Sequence, residues 1–255
     1  MKVKPTLKVL SIDFDFFQVV DLDTLFHYPD GHDFMTDFSK FIWANHYADP
    51  REDEILRKVS VNQKLFAEIK DILISNASSE KPVMIANSHK YIYDFIVDEM
   101  NTKKWRDLVV VNVDMHHDMF NDNEKLDCGN WVSHIYRKFP GTYISWIANP
   151  ISNEAYGLGE NLMQLVQTDF SSIRNQQFDM IFLCRSDIWT PPHLDSYFDE
   201  LYHLILEHYW DIRVDRQVSK PRDLTEELEA QKKVYAERIK MAEIFKKELA
   251  QPACD

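Results

Sequence analysis

The chain has 255 residues and a mass of 30.3 kDa, enough for one α/β domain with its own core plus a helical appendage. Hydrophobic residues make up 45% and aromatic residues 13% of the chain, which excludes a disordered polymer. The formal net charge of −13 disfavours nonspecific binding to nucleic acid or anionic lipid, because such binding needs clustered Lys and Arg. We expect a globular protein that binds neither nucleic acid nor membranes.

Cysteine usage and the first residues of the chain bear on the compartment. Cys128, Cys184 and Cys254 form no close pair in the sequence, which favours a reducing environment over a disulfide framework. The first residues lack the apolar run of a signal peptide, and no stretch of about 18 apolar residues occurs. We therefore expect a cytoplasmic protein.

The first predicted strand, residues 7–12, is followed by Asp13 and Asp15. Because side chains alternate along an extended chain, both carboxylates are expected on one side of the strand end. Two like charges that close are costly unless a cation or a proton lies between them. Aromatic residues flank both aspartates, which favours a metal site over a solvated acidic turn.

Residues 21–50 mix polar and aromatic types and predict a partly irregular segment that could wall a pocket. Apolar residues at helical spacing predict one helix within 53–75. A short strand at 83–86 then leads to His89, near the start of a further helix. A histidine at such a junction lies where open α/β sheets bind their ligands.

The most informative stretch is a valine-rich strand predicted at 107–113. It is followed by Asp114, His116 and Asp118, which alternation places on one side of the chain, with His117 on the other. Two carboxylates and an imidazole suit manganese, iron or zinc better than calcium. The sequence therefore predicts a metal site at the end of this strand.

The second half of the chain continues the alternation of strands and helices. Strands are predicted at 142–147 and 178–186, and Asp187 follows the second of them. Between these strands, residues 152–177 predict a loop around Gly157 and Gly159 and then a modest helix through Leu165.

The charged residues from Asp223 to Gln251 predict one long amphipathic helix with a solvated face. We divide the chain into a domain of residues 1–215 and a C-terminal helical unit of residues 216–255. The helix could pack on the domain, join two subunits in a homo-oligomer or bind another partner.

Together, the predicted strand ends supply four carboxylates and two imidazoles. They belong to Asp13, Asp15, His89, Asp114, His116 and Asp118. This number suffices for two divalent ions that share bridging carboxylates and is too large for a single structural site. A shared site requires the strands that carry Asp13 and Asp114 to lie close together in the sheet.

These motifs resemble the metal signatures of the ureohydrolases, the family of arginase and agmatinase. The matching segments are 11–15, 87–89 and 114–118, and the resemblance covers about residues 9 to 193. The family places its Ser-x-Asp-x-Asp motif after Asp-x-His-x-Asp, whereas this chain has the reverse order. In size and overall appearance the chain is most similar to the peptide arginases, which act on arginine side chains in ribosomally made precursor peptides.

The resemblance implies a three-layer, arginase-like α/β fold with a mainly parallel sheet and a permuted strand order, followed by the long C-terminal helix. It also implies two manganese ions per chain. The implied ligands of the first ion are His89, Asp114, Asp118 and Asp13. Those of the second are His116, Asp114, Asp13 and Asp15, so that Asp114 and Asp13 would bridge the two ions.

The implied reaction is hydrolysis of a peptidyl arginine to ornithine and urea, with an arginine-containing precursor peptide as the partner. The resemblance assigns Asn130 to substrate binding and His134 to protonation of the leaving amine. Asp118 would also orient the attacking water. Asp187 would pair with the substrate guanidinium through two hydrogen bonds, and the alternative that Asp187 binds metal stays open.

Three other functions fit the sequence. An arginase or agmatinase would act on a free small guanidino compound, whereas a metal-dependent deacetylase of related fold would use one ion and an amide substrate. A noncatalytic binding module would use the C-terminal helix as its working surface. Urea release and the number of metal ions per chain separate these functions.

Overall fold

The structure is a computed structural model that describes residues 6–29, 35–120, 125–156 and 165–249. Its strands are β1 (Leu7–Asp13), β2 (Gln18–Val19), β3 (Ser60–Val61), β4 (Val83–Ala86), β5 (Leu108–Asp114), β6 (Tyr143–Ala148), β7 (Leu165–Gln167), β8 (Met180–Cys184) and β9 (Ile212–Val214). Its α-helices are α1 (Leu22–Leu25), α2 (Thr36–Ala48), α3 (Pro50–Leu56), α4 (Gln63–Ser75), α5 (Tyr91–Lys103), α6 (Trp131–Lys138), α7 (Ser152–Tyr156), α8 (Asp195–His208) and α9 (Thr225–Leu249).

Seven strands of the described chain form one parallel sheet in the order β7-β6-β5-β1-β8-β4-β9. The remaining two, β2 and β3, form a separate antiparallel ribbon. In the centre of the sheet, β1 pairs with β5 so that Ile12 lies opposite Val113. Asp13 directly follows Ile12 in the chain, and Asp114 directly follows Val113. The pairing confirms the prediction that the strands carrying these two aspartates are neighbours in the sheet.

Helices cover both faces of the sheet. Along β1, Val9 packs into a cluster that includes residues of α5 and α6, whereas Leu10 packs into one that includes residues of α2, α4 and α8. Phe182 and Leu183 of β8 divide between the same two clusters. The result is a three-layer α/β architecture, in which strands buried on both faces read as nearly continuous apolar runs.

The apolar run of β5 explains its central place in the sheet. Every residue of this strand except Val109 is buried, and its valines are β-branched side chains that suit a pleated surface. Burying one such side chain contributes about 1.5–3 kcal/mol. The strand therefore forms a firm base for the polar residues that follow it.

The segment 53–75 is organised differently from its prediction. The single helix predicted within 53–75 is wrong, because α3 and α4 are separate helices with β3 between them. The strand forms because Val61 pairs with Gln18 of β2, and Asn62 then caps α4 by accepting a hydrogen bond from the backbone N–H of Leu65 (3.2 Å). The segment 21–50, predicted as partly irregular, contains the 13-residue helix α2.

The modest helix predicted through Leu165 falls mainly on residues 160–164, which lie outside the described residues. Leu165 itself begins β7, which pairs with β6 at the edge of the sheet, so the helix does not extend to this residue. Gly157 and Gly159, around which a loop was predicted, lie outside the described residues, as does Cys254. Cys128 and Cys184 are thiols in the described part of the chain.

The C-terminal helix α9 is present as predicted, but the segment before it belongs to the sheet domain. Val218 is fully buried, and the side chain of Arg222 is enclosed between the loops that follow β8. Residues 216–222 therefore pack with the domain, beyond the predicted boundary at residue 215. The first turns of α9 contact α2, where Lys40 and Glu227 form an ion pair of 2.9 Å. Among the described helices, none is long and apolar enough to cross a membrane.

Arg222 joins this segment to α8 through a buried ion pair. Its Nε and Nη2 donate to the two carboxylate oxygens of Asp195 at 3.0 and 2.6 Å, and Nη2 also donates to the carbonyl of Thr190 at 2.7 Å. Both partners are buried, so that neither charge is solvated if the other is removed.

We expect Arg222→Met to lower the free energy of unfolding by about 3 kcal/mol, because the carboxylate of Asp195 would lose its closest cation inside the protein. Denaturant unfolding measures this loss. Arg216→Met, which removes an exposed arginine from the same segment, is the matched control and should cost less than about 0.5 kcal/mol. Equal losses for the two variants would contradict the structural role of the buried pair.

Candidate metal centre

The carboxyl ends of β4, β8, β1 and β5 lie side by side and bring together all the predicted metal ligands. Asp13 and Asp114 are the last residues of their strands, Asp15 lies in a short 3-10 turn after β1, and His89 follows β4. The six side chains are buried, with exposed fractions between 0 and 7%. They are Asp13, Asp15, His89, Asp114, His116 and Asp118.

The first group of ligand atoms surrounds Nδ1 of His89. This atom lies 3.2 Å from Oδ2 of Asp13, 3.0 Å from Oδ2 of Asp114 and 3.0 Å from Oδ2 of Asp118. Atoms that bind one cation at about 2.1 Å lie about 3.0–3.4 Å from one another, so the spacing suits a shared ion. Nδ1 is buried and has no hydrogen-bond partner, as expected of an atom that faces a cation site.

Contacts of Nε2 and of the ring face fix the orientation of the His89 side chain. Its Nε2 shares a hydrogen bond of 2.6 Å with Oγ of Ser11 on β1, and its ring stacks on Phe182 with centroids 5.5 Å apart. A histidine that ligates metal through one ring nitrogen usually holds a polar partner at the other. Ser11 is the first residue of the 11–15 motif, and no local pattern in the sequence indicates its contact with His89.

A second group of ligand atoms lies on the other side of Asp114. Nδ1 of His116 is 3.0 Å from Oδ2 of Asp15 and 3.6 Å from Oδ1 of Asp114. Oδ1 of Asp15 accepts a hydrogen bond from the backbone N–H of Met115 at 3.1 Å, whereas its buried Oδ2 has no hydrogen-bond partner. Asp114 thus gives one oxygen to each group, and the residues fit a pair of cations.

The implied bridging role of Asp13 is not reproduced in this arrangement. Its Oδ2 belongs to the group around His89, and its Oδ1 accepts a hydrogen bond from the backbone N–H of Asp15 at 3.2 Å. Asp114 is therefore the shared residue of the described cluster, and a second contact from Asp13 stays a prediction.

Asp118 reaches the cluster through an unusual backbone conformation. Its φ is +52°, in the left-handed region that costs a residue with a Cβ about 1 kcal/mol or more. The start of α6 holds it there, since Nε1 of Trp131 donates to the Asp118 carboxylate and the N–H of Val132 donates to the backbone carbonyl of Asp118 at 3.2 Å. Ser186, on the loop after β8, has a φ of +54°. Such conformations concentrate at functional sites.

The cluster is electrostatically crowded. Burial, together with the charge of Asp114, raises the pKa of Asp13 and of Asp118. Burial and the charge of Asp13 raise the pKa of Asp15 to about 8. Burial also opposes ionisation of Asp114, but the two neighbouring histidines hold its pKa below the usual range. Without a cation, the cluster would therefore keep protons that a divalent ion would displace.

The cluster opens onto a cavity of about 550 Å³. Four of the predicted ligands contribute to its lining, namely Asp13, His89, His116 and Asp118. Three aromatic residues form another part of the wall, namely Phe120, Tyr156 and Trp189. The rings of Tyr156 and Trp189 each lie 4.7 Å from that of His116, and the Tyr156 hydroxyl shares a hydrogen bond of 3.1 Å with Nε2 of His116. None of these three aromatic residues was predicted to belong to the site, because no motif in the sequence includes them.

Asn130, predicted to bind substrate, lines this cavity but holds the loop in front of α6. Its Oδ1 accepts a hydrogen bond from the N–H of Asp127 at 2.8 Å, and its Nδ2 donates to the carbonyl of Lys125 at 3.0 Å. These contacts make Asn130 a positioning residue for residues 125–130.

The structure does not support His134 as the proton donor. Its ring packs against Tyr93 of α5, with centroids 5.9 Å apart, and it is not among the described residues that line the cavity. Trp131, the first residue of α6, contacts the Asp118 carboxylate, whereas His134 lies three residues, or about 4.5 Å along the helix axis, further on and packs against α5.

Asp187 does not line the cavity either, and the guanidinium that it binds belongs to its own chain. The carboxylate accepts hydrogen bonds from Nε and Nη2 of Arg185, the latter at 3.1 Å, and from the hydroxyl of Thr36. Both oxygens are engaged, which corrects the predicted pairing with substrate and also leaves Asp187 outside the described metal groups. Arg185, only two residues away in the sequence, is the signal that could have indicated this pairing.

Comparison with known proteins identifies no relative. No family model matches the chain, and neither a curated protein nor a solved structure matches it. We therefore argue the function from the geometry of the site and the motifs that form it.

We expect the metal-free protein to lose stability as the pH rises from about 4 to about 8. A carboxyl group with a raised pKa binds more protons in the folded than in the unfolded state over this range, so each increase in pH favours unfolding. The pKa of Asp15, about 8, sets the upper end of the range. The raised pKa values of the two histidines act in the same direction.

Thermal unfolding in the presence of a chelator, repeated across this pH range, checks the sign. Asp15→Asn should flatten the decline, because the amide cannot ionise, whereas Asp71→Asn, at an exposed position on α4, should not. A melting temperature that stays level or rises with pH in the metal-free protein would refute the crowding argument.

Proposed function

We propose that this protein is a binuclear manganese hydrolase that converts arginine side chains of a precursor peptide to ornithine and releases urea. The observation that carries this proposal is the pair of buried carboxylate and histidine groups that share Asp114 beside one cavity. The peptide partner, the cytoplasmic location and an arginase-like topology with permuted strand order are parts of the same proposal.

The donor set favours manganese. Four carboxylates and two imidazoles form a ligand set that is rich in oxygen and contains nitrogen. Such a set favours manganese over zinc, for which thiolate ligands are common. When bound, two such ions would supply an activated water and neutralise the charge that develops on the substrate.

The protein side chains would hold and orient the reactants. Asp114 would keep the two halves of the site in register, and Asp118, which lines the cavity, would orient water from the side of α6. Burial raises the pKa of Tyr156, so its hydroxyl keeps its proton at neutral pH. Tyr156 also lines the cavity, and we assign to it the donation of a proton to the leaving amine that the sequence had suggested for His134.

The cavity wall supports a guanidinium substrate. A planar, delocalised cation stacks on aromatic faces, and Tyr156 and Trp189 flank His116 on the cavity side of the cluster. A volume of about 550 Å³ accommodates a long side chain with part of a peptide backbone.

Urea release after addition of manganese tests the proposal. We expect the full-length protein to release urea from an arginine-containing peptide, more efficiently than from free arginine or agmatine. Asp114→Asn should reduce this activity by more than about 100-fold, because loss of a shared ligand exceeds the 10- to 100-fold effect of an outer partner.

Asp71→Asn changes the net charge equally at an exposed site and should retain full activity. If the protein acted exclusively on free arginine, the result would contradict the peptide substrate and identify a free-arginine enzyme. Release of acetate from an acetyl-lysine peptide, with one metal ion per chain and no urea from any guanidino compound, would establish a deacetylase instead.

A further inference from the structure

An enzyme that binds a guanidinium needs a carboxylate in its cavity that is neither a metal ligand nor already paired. Asp187 fails this requirement because Arg185 and Thr36 occupy both of its oxygens. The described residues that line the cavity include three acids: Asp13 and Asp118, which both contact Nδ1 of His89 in the first metal group, and Asp127, which lies outside the metal groups.

Asp127 lies on a loop that is fixed before any ligand arrives. The side chain of Asn130 bonds to the N–H of Asp127 and to the carbonyl of Lys125, as described above, and the N–H of Asn130 donates to the carbonyl of Asp127 at 3.3 Å. This closed turn precedes α6, whose first residue, Trp131, contacts Asp118. The first turn of α6 thus connects the loop to Asp118 of the first metal group.

The carboxylate of Asp127 retains acceptor capacity. One oxygen accepts a hydrogen bond from the backbone N–H of Cys128 at 2.6 Å, while the other accepts none from the described residues. The side chain is partly buried, so that a hydrogen bond made there is less exposed to competition from water than one at the surface. Lys125, the other charged residue of the loop wall, is exposed.

An aromatic side chain, that of Phe120, lines the same cavity as Asp127. The N–H of Phe120 donates to the carbonyl of Gly129 at 2.8 Å, which holds Phe120 against the same loop. The ring of Phe120 lies 6.1 Å from that of Tyr156, at 76°, so the acid and the aromatic wall are continuous around the cavity. An acceptor beside aromatic faces is the combination that binds organic cations.

We propose that Asp127 receives the cationic group of the substrate side chain and sets the preference of the cavity for cations over neutral side chains of equal length. The inference depends on the proposed function for the identity of the substrate, an arginine in a peptide. Asp127 is a specificity residue that touches the substrate, and it takes no part in activating water.

The experiment combines kinetics with binding in the manganese-loaded, full-length protein. The KM and kcat for urea release are measured with an arginine peptide for the wild type, Asp127→Asn, Asp127→Glu and the control Asp71→Asn. Binding is measured by fluorescence anisotropy with two labelled peptides that are not cleaved, one with lysine and one with norleucine at the arginine position. The melting temperature of each variant verifies that it is folded.

We expect Asp127→Asn to raise KM by about tenfold or more while kcat changes less than about threefold, because a charge-assisted hydrogen bond is lost in the ground and transition states alike. The wild type should prefer the lysine peptide over the norleucine peptide by about tenfold. Asp127→Asn should abolish that preference, Asp127→Glu should recover part of it, and Asp71→Asn should leave it unchanged.

The binding arm separates this inference from the proposed function. Urea release by the wild type, with KM and cation preference unaltered in Asp127→Asn, would overturn the role of Asp127 and leave the hydrolase intact. A cation preference that depends on Asp127, in a protein that releases no urea from any guanidino compound, would overturn the hydrolase and uphold the cation site. Absence of both urea release and cation preference would overturn both.

Discussion

Four carboxylates enclosed with two imidazoles form the constraint on which the rest of the structure depends. If all four aspartates were ionised, their charge would exceed the most that the two histidines could carry, and every member is buried. Mutual repulsion and desolvation would then oppose folding. Two divalent cations would relieve both effects, since each replaces several displaced protons with a charge at the centre of its own ligand group. Nδ1 of His89 and Oδ2 of Asp15, one in each group, are buried without a hydrogen-bond partner and fit the role of ligand atoms for two such cations.

The fold supplies the rigid support that such a cluster requires. The central strands β1 and β5 are buried on both faces. The sheet therefore fixes the positions of the carboxylates at the ends of these strands. Contacts behind the ligands add to this support, as Ser11 fixes His89 and Trp131 holds Asp118 in a left-handed backbone conformation. In the loop after β8, the carboxylate of Asp187 pairs with the guanidinium of Arg185. This acid near the site is therefore part of the supporting structure and does not face the cavity.

The clustering of the six aspartate and histidine residues could be predicted from the sequence because their signal is local. A buried strand runs directly into each aspartate motif, and neighbouring parallel strands end at one edge of a sheet. The residues that complete the cavity carry no such signal. Asp127 lies in a loop and Tyr156 at the end of the short helix α7, and the positions of both depend on long-range packing. The packing of His134 against Tyr93 and the pairing of Asp187 with Arg185 are likewise contacts that the strand pattern in the sequence does not indicate. Similarly, the break between α3 and α4 arises from pairing with β2, a contact between distant residues.

The most direct test of the account is the position of manganese in crystals of the loaded protein, measured by anomalous scattering. We predict two peaks about 3.5–4 Å apart. One should lie beside His89 and Asp118, the other beside His116 and Asp15, with Asp114 in contact with both. A single peak in the cluster, or manganese found only elsewhere on the protein, would contradict the central claim that Asp114 joins two metal sites.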